Sequence, residues 1–168
     1  MLLNTAEIME RYKPEQVKVL LIAEAPGNES RHFYLANTNL YRTIYTAFTN
    51  VFGAFSSPGE FFELFKSLGF YLDHLSQLPI NIRDIASRKA ERERAVFSLS
   101  ERLKIYQPEY VVTIMLDIQT FVNQAVKISG IQSVPKVDAV PYPAGSETNR
   151  KNCIHAIVNL LQNGAIDY

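Results

Sequence analysis

Residues 17–23, VKVLLIA, place aliphatic side chains on both faces of an extended chain. A strand that is apolar on both sides must be covered on both sides, which is the position of a central strand in a parallel sheet. The run stops at Glu24 and turns through Ala25, Pro26 and Gly27. Three more strands are expected: FYLDHL (70–75), YVVTIML (110–116) and residues 134–140, the last broken by Lys136 and Asp138 and so placed near an edge. Amphipathic helical patterns alternate with them. One covers 4–12, and another covers 40–52 with Leu40, Ile44, Phe48, Val51 and Phe52 on one stripe. A third opens at the capping box Ser57-Pro58-Gly59-Glu60 and ends at Gly69. Residues 76–90 read as a long polar connection leading to a helix over 92–106. Asp117 is expected to cap the next helix, which Gly130 closes, and the last runs from Ser146 to Gly164. Four strands alternating with helices give an α/β fold, a mostly parallel four-stranded sheet with helices on both faces. The 168 residues, 47% of them hydrophobic, suit a single domain over 1–168.

Lys+Arg and Asp+Glu each total 17, so bulk charge does not advertise a nucleic-acid partner and any basic surface must be local. The single cysteine, Cys153, excludes an internal disulfide and any metal site built mainly of cysteines. Three histidines without paired ligand spacing give no reason to expect a metal, and no cofactor is expected. No secretory apolar region opens the chain, and no apolar run reaches the ~18 residues of a membrane span. The reading is a soluble cytoplasmic protein without a membrane partner.

Ligands of open α/β sheets bind beyond the carboxyl ends of the strands, where Glu24, Asp73, Asp117 and the 141–146 loop fall. A partly desolvated Glu24 is expected to have a raised pKa, which suits a general base; the structural alternative is pairing with a Lys or Arg. In Arg31-His32-Phe33-Tyr34, adjacent aromatics can stack on a planar ligand or plug the sheet. Asp73-His74 can bind a ligand or serve as a cap. In PYPAGSETNRK (141–151), Ser146 opens a helix whose first turn carries Asn149, Arg150 and Lys151, a seat for phosphate or ordinary capping. The charges of 88–94 read as a solvated helix face.

In order and approximate spacing, LLIAEAPG, HFYL, FYLDHLSQLP, VVTIML and PYPAGSETN resemble the uracil-DNA glycosylase superfamily over about residues 17–163. The resemblance implies a three-layer α/β/α sandwich and hydrolysis of the N-glycosidic bond of a damaged or deaminated base in DNA, without metal or cofactor. It implies that Glu24 positions or activates water. Phe33, or Tyr34 beside it, would stack on the flipped base, and Asp73 with the backbone near Ala25 would read the base edge. Pro26, Gly27, Tyr142, Pro143, Ala144, Gly145, Ser146 and Arg150 would face DNA, and the residues after Tyr142 would press into the minor groove. The chain departs from the family pattern in Ala23 for Gly, Tyr142 for His or Asn, Ala144 for Ser and Asp73 for Asn. An ionised Asp73 only accepts hydrogen bonds, so facing a base it would favour an amino-bearing one. Binding of a nucleotide, a nucleobase or single-stranded nucleic acid without cleavage is the alternative on the same fold, and a hydrolase of small nucleosides is a third.

Overall fold

A computed structural model describes residues 4–28 and 30–163. Strand β1 (Val19–Ala23) is buried along its length and pairs in parallel with β2 (Phe70–His74) on one side and β3 (Tyr110–Ile114) on the other. Strand β4 (Lys136–Val140) pairs in parallel with β3 and is the half-exposed edge that its polar residues imply. The order β2-β1-β3-β4 answers the two-faced apolar pattern of 17–23 by position. The sheet is parallel throughout, and helices on both faces make it a three-layer α/β/α sandwich.

Helices α1 (Thr5–Arg11), α2 (Asn39–Phe52) and α3 (Pro58–Ser67) precede β2, and α4 (Ile85–Tyr106) follows it. Helix α5 (Gln119–Ser129) joins β3 to β4, and α6 (Glu147–Gln162) ends the described chain. Helices α4 and α5 pack together on one face of the sheet, and α2 and α6 pack together on the other. Between α2, α3 and β2 lies an aromatic layer of Phe48, Phe61, Phe62, Phe65 and Phe70, all at most 1% exposed. The rings meet edge-on or tilted, as Phe48 and Phe70 do at 5.3 Å and 79°, the arrangement their quadrupoles favour.

Ser57 caps α3 by accepting from Glu60 N at 3.2 Å. Two expectations are corrected. Asp117 lies in a 3-10 turn (Leu116–Ile118), and α5 begins without a side-chain cap. Helix α4 begins at Ile85 rather than near Arg92, with Asp84 Oδ1 accepting from Ser87 N at 3.2 Å. Its first turns carry no apolar stripe, being solvated except where Arg88 and Arg92 turn inward, so hydrophobic periodicity does not mark them. The helix end expected at Gly164 lies outside the described residues. No described helix is long and apolar enough to cross a membrane.

Strand β2 is the other edge, and an unpaired backbone N–H at a buried edge needs an acceptor. Leu72 N donates to Tyr34 Oη at 2.9 Å, and the Tyr34 ring lies 6.1 Å from that of Tyr71. Tyr34→Phe is therefore expected to lower the unfolding free energy by roughly 1–3 kcal/mol, the cost of a stranded buried donor. Urea denaturation measures this, and unchanged stability would mean that the Leu72 amide finds another acceptor.

Candidate functional site

The chain runs from β1 outward to β2 and then crosses β1 to reach β3. Loops leave in opposite directions where the order reverses, and a crevice opens beyond the carboxyl ends there. A cavity of about 540 Å³ occupies that place and meets the ends of all four strands. Glu24 follows β1, His74 ends β2, Met115 follows β3 and Tyr142 follows β4. The loop through Ala25, Pro26 and Gly27, the start of α2, and Pro79 to Ile82 complete the walls. Met115 has φ 149°, a region that side chains rarely adopt and that strands leave only under constraint. A larger hollow at the opposite end of the sheet, beside Lys13, Lys18 and Lys66, meets no strand carboxyl end.

Gly27 is required by the chain itself. A Cβ there would stand 2.9 Å from the Arg31 carbonyl oxygen, because Arg31 N donates back to Asn28 O at 3.0 Å. Asn37 then pins the segment, accepting from His32 N at 3.0 Å and donating to Ser30 O at 2.7 Å.

Glu24 lines the cavity, but its carboxylate is held from behind by α4. Arg88 donates from Nε to Oε2 at 2.9 Å and from Nη2 to Oε1 at 2.6 Å, and Arg92 Nε donates to Oε2. Burial alone pushes the Glu24 pKa up, yet the hydrogen bonds and charges of the two arginines outweigh it and hold the group below its usual range. The expected raised pKa is corrected: this carboxylate is a weak base.

Asp73 does not line the cavity. Successive strand residues point to opposite faces, so Asp73 turns towards α4 and His74 towards the cavity. Arg102 Nη1 pairs with Asp73 Oδ2, Tyr106 Oη donates to the same oxygen at 3.0 Å, and His74 N donates to Oδ1 at 2.7 Å. Arg102 also donates to the carbonyls of His74 at 2.9 Å and Leu75 at 3.0 Å. Asp73 is thus a clamp between α4 and the end of β2, and the expected base-edge reader is corrected to a structural residue. Tyr34 likewise lies outside the cavity, under the edge of β2. Phe33 forms part of the cavity wall, packed edge-on against Tyr41, Phe61 and Phe62.

Ala25, Pro26, Gly27, Tyr142 and Ala144 line the cavity. Pro143, Gly145, Ser146 and Arg150 line a second hollow of about 240 Å³, which shares Asn39 and Ala144 with the first and adds Arg42. Ser146 Oγ is the α6 cap, accepting from Asn149 N at 3.0 Å, and Arg150 lies 3.6 Å from Glu147.

His74, read with Asp73 as a ligand contact or a cap, and His32, within the aromatic segment 31–34, both line the cavity. Burial pushes the His32 pKa down from its ordinary value and that of His74 down to about 4, so both rings are neutral near pH 7. The rings lie edge to face at 5.4 Å. His32 Nδ1 accepts from Tyr34 N at 3.3 Å, which leaves its hydrogen on Nε2. Among the described residues nothing accepts that hydrogen, and no partner bonds the His74 ring. Burial and the nearby Glu24 charge push the Tyr142 hydroxyl pKa up, so it keeps its proton. Asn39 Oδ1 accepts from Arg42 at 2.9 Å, leaving its NH₂ to donate. The cavity therefore offers neutral donors from His32, Asn39 and Tyr142, with Arg31 at its wall and the Glu24–Arg88 ion pair at the end of β1. Among the described residues no group of three or more His, Cys, Asp or Glu could hold a metal ion. Two signals in the sequence point to these assignments. The alternation in FYLDH separates Asp73 from His74, and Arg88 and Arg92 are one helical turn apart on the same face. No protein-family model and no curated protein matches the chain.

Proposed function

We propose that the cavity receives a nucleobase turned out of the DNA stack and that the protein hydrolyses its N-glycosidic bond. The observation that carries this reading is one hollow of about 540 Å³, roomy enough to admit a flipped base, entered by the ends of all four strands and offering neutral hydrogen-bond donors beside a Glu24 that two arginines neutralise. Such a lining suits a base rich in carbonyl acceptors: uracil, hypoxanthine or xanthine. The objection that Asp73 would repel such a base falls away, because its carboxylate serves α4. The resemblance of LLIAEAPG and PYPAGSETN to the uracil-DNA glycosylase superfamily supports the same reading.

Turning a base out of the stack costs a few kcal/mol and is easiest at a mismatch. As the bond from the anomeric carbon to the base nitrogen breaks, its electron pair leaves with the base. Donors from His32, Asn39 and the 25–28 backbone hold the resulting anion, which is where fixed dipoles help most. A water adds to the anomeric carbon and releases a proton, which ends on the departed base. A carboxylate can accept about four hydrogen bonds. The arginines occupy three sites on Glu24, so one remains to orient that water.

The test is base release from single- and double-stranded oligonucleotides carrying uracil, hypoxanthine, xanthine or a mismatch. Glu24→Gln is expected to slow release by about a hundredfold through loss of water alignment. Absence of release from every oligonucleotide would reject hydrolysis. The hold of two arginines on Glu24, through three hydrogen bonds, favours one second reading, binding of a base or nucleotide without cleavage. It predicts saturable binding with no product after long incubation.

A further inference from the structure

The segment between β2 and α4 leaves large aliphatic side chains in water at the mouth of the cavity. Leu78 is 70% exposed, Ile82 64% and Ile85 83%, while Pro79, Ile80 and Ile82 also line the cavity. The segment is anchored at both ends. Leu75 N donates to Ala23 O at 2.8 Å, Ser76 N donates to Glu24 O at 2.9 Å, and Ser76 Oγ donates to Leu78 O at 2.9 Å. At the far end Asp84 caps α4, and Asn81 Oδ1 accepts from Arg83 N at 3.1 Å. Aliphatic groups displayed together on a held loop mark an interaction surface.

The charges around it suggest the partner. Arg83 stands between Ile82 and Ile85, Arg31 lines the cavity, and Arg42 lines the adjoining hollow. Among the described residues none of these three forms an ion pair. Most of the nearby carboxylates are committed, Asp84 to its cap, Glu24 to Arg88 and Arg92, and Glu91 to Arg94, while Asp117 faces Arg88 with no ion pair among the described residues. Aliphatic points framed by free cations fit a polyanion with an apolar stack inside, which is a nucleic-acid duplex. The 142–146 loop offers less for this purpose, since Tyr142 lines the cavity, Pro143 is buried, and Ala144, Gly145 and Ser146 carry no large apolar side chain.

Building on the proposed function, we infer that the 78–85 segment is the wedge that enters the duplex, its exposed Leu78, Ile82 and Ile85 filling the gap that the extruded base leaves. Phosphates on either side meet Arg83 and Arg31. The partner is then double-stranded, and the segment contributes little to single strands, which have no stack to hold open.

The test uses the whole protein and a duplex with 2-aminopurine next to a uracil–guanine mismatch, whose fluorescence rises when the neighbouring stack opens. Wild type is expected to raise the signal several-fold. The double variant Leu78→Ser/Ile85→Ser, at two exposed side chains that do not line the cavity, is expected to lose most of that rise, yet to bind the matching single strand as tightly and to melt at the same temperature. Arg83→Glu, a second variant on the surface, is expected to weaken binding at all sequences and to reduce the salt slope by about one. An equal fluorescence rise in the double variant would overturn the inference, and continued uracil release by wild type would leave the proposed function standing. Wild type that binds neither duplex nor single strand would overturn both. A wild-type dimer that the double variant converts to monomer would assign the surface to a second copy of the chain and overturn the wedge.

Discussion

Asp73→Ala is expected to lower the unfolding free energy by roughly 3–5 kcal/mol, the cost of leaving a buried charge without its partner. For a chain of this size that corresponds to a fall in melting temperature of about 10 °C or more. The partner left behind is Arg102, 9% exposed, whose Nε already lacks a hydrogen-bond acceptor among the described residues. Its Nη1 would keep the His74 carbonyl but lose the carboxylate, and Tyr106 would lose its acceptor as well. Arg102→Leu strands the opposite charge and is expected to be comparably harmful. The double variant Asp73→Ala/Arg102→Leu removes both charges and is expected to recover much of the loss, since replacing a buried pair by apolar groups is often close to neutral. Chemical denaturation of the four proteins closes the cycle. The same series separates a clamp from a base reader. If Asp73→Ala kept wild-type stability while base release stopped, the carboxylate would be acting in the cavity, and the assignment made from strand alternation would fail.

Periodicity carried the fold because each apolar run is answered by a layer. The two-faced pattern of 17–23 is enclosed between β2 and β3, and the polar interruptions at Lys136 and Asp138 lie on an edge. Where polar residues did the structural work, the same signal was silent. The first turns of α4 carry no apolar stripe, because their inward side chains are Arg88 and Arg92, and what they cover is a carboxylate. That same pair decided the pKa of Glu24. A strand-ending acid reads as desolvated from the chain alone, and the arginines that reverse the sign lie 64 and 68 residues away in sequence. Asp73 and His74 show the finer limit. Position along the strand places both at the ligand end, but only the pairing register says which face each takes, with Asp73 beside Ile22 and His74 beside Ala23. The aromatic pair divided in the same way: Phe33 reaches the cavity wall, and Tyr34 closes the edge of β2.

His74 makes stability depend on pH in a window that the carboxylates do not share. Burial pushes its pKa from 6.5 to about 4; Asp73 raises it, while His32 and Arg102 lower it further. The unfolded chain takes up this proton near 6.5 and the folded protein only near 4, so between these values the unfolded state binds more protons. The stabilisation is present in full above 6.5 and is lost as pH falls towards 4, by about 3 kcal/mol at 1.36 kcal/mol per pKa unit. His32, also pushed down by burial, adds to the loss in the same direction. Glu24, held below its ordinary 4.5, keeps its contribution above that value and loses it only at lower pH, so the histidine window is read first. Denaturation at a series of pH values should show stability falling through the weakly acidic range, and His74→Asn should flatten that slope while keeping a donor at the cavity. Proton resonances of the His74 ring give the direct check. Titration of the folded protein near 6.5 would show the ring to be solvated, and with it would go the neutral donor lining on which recognition of a carbonyl-rich base depends.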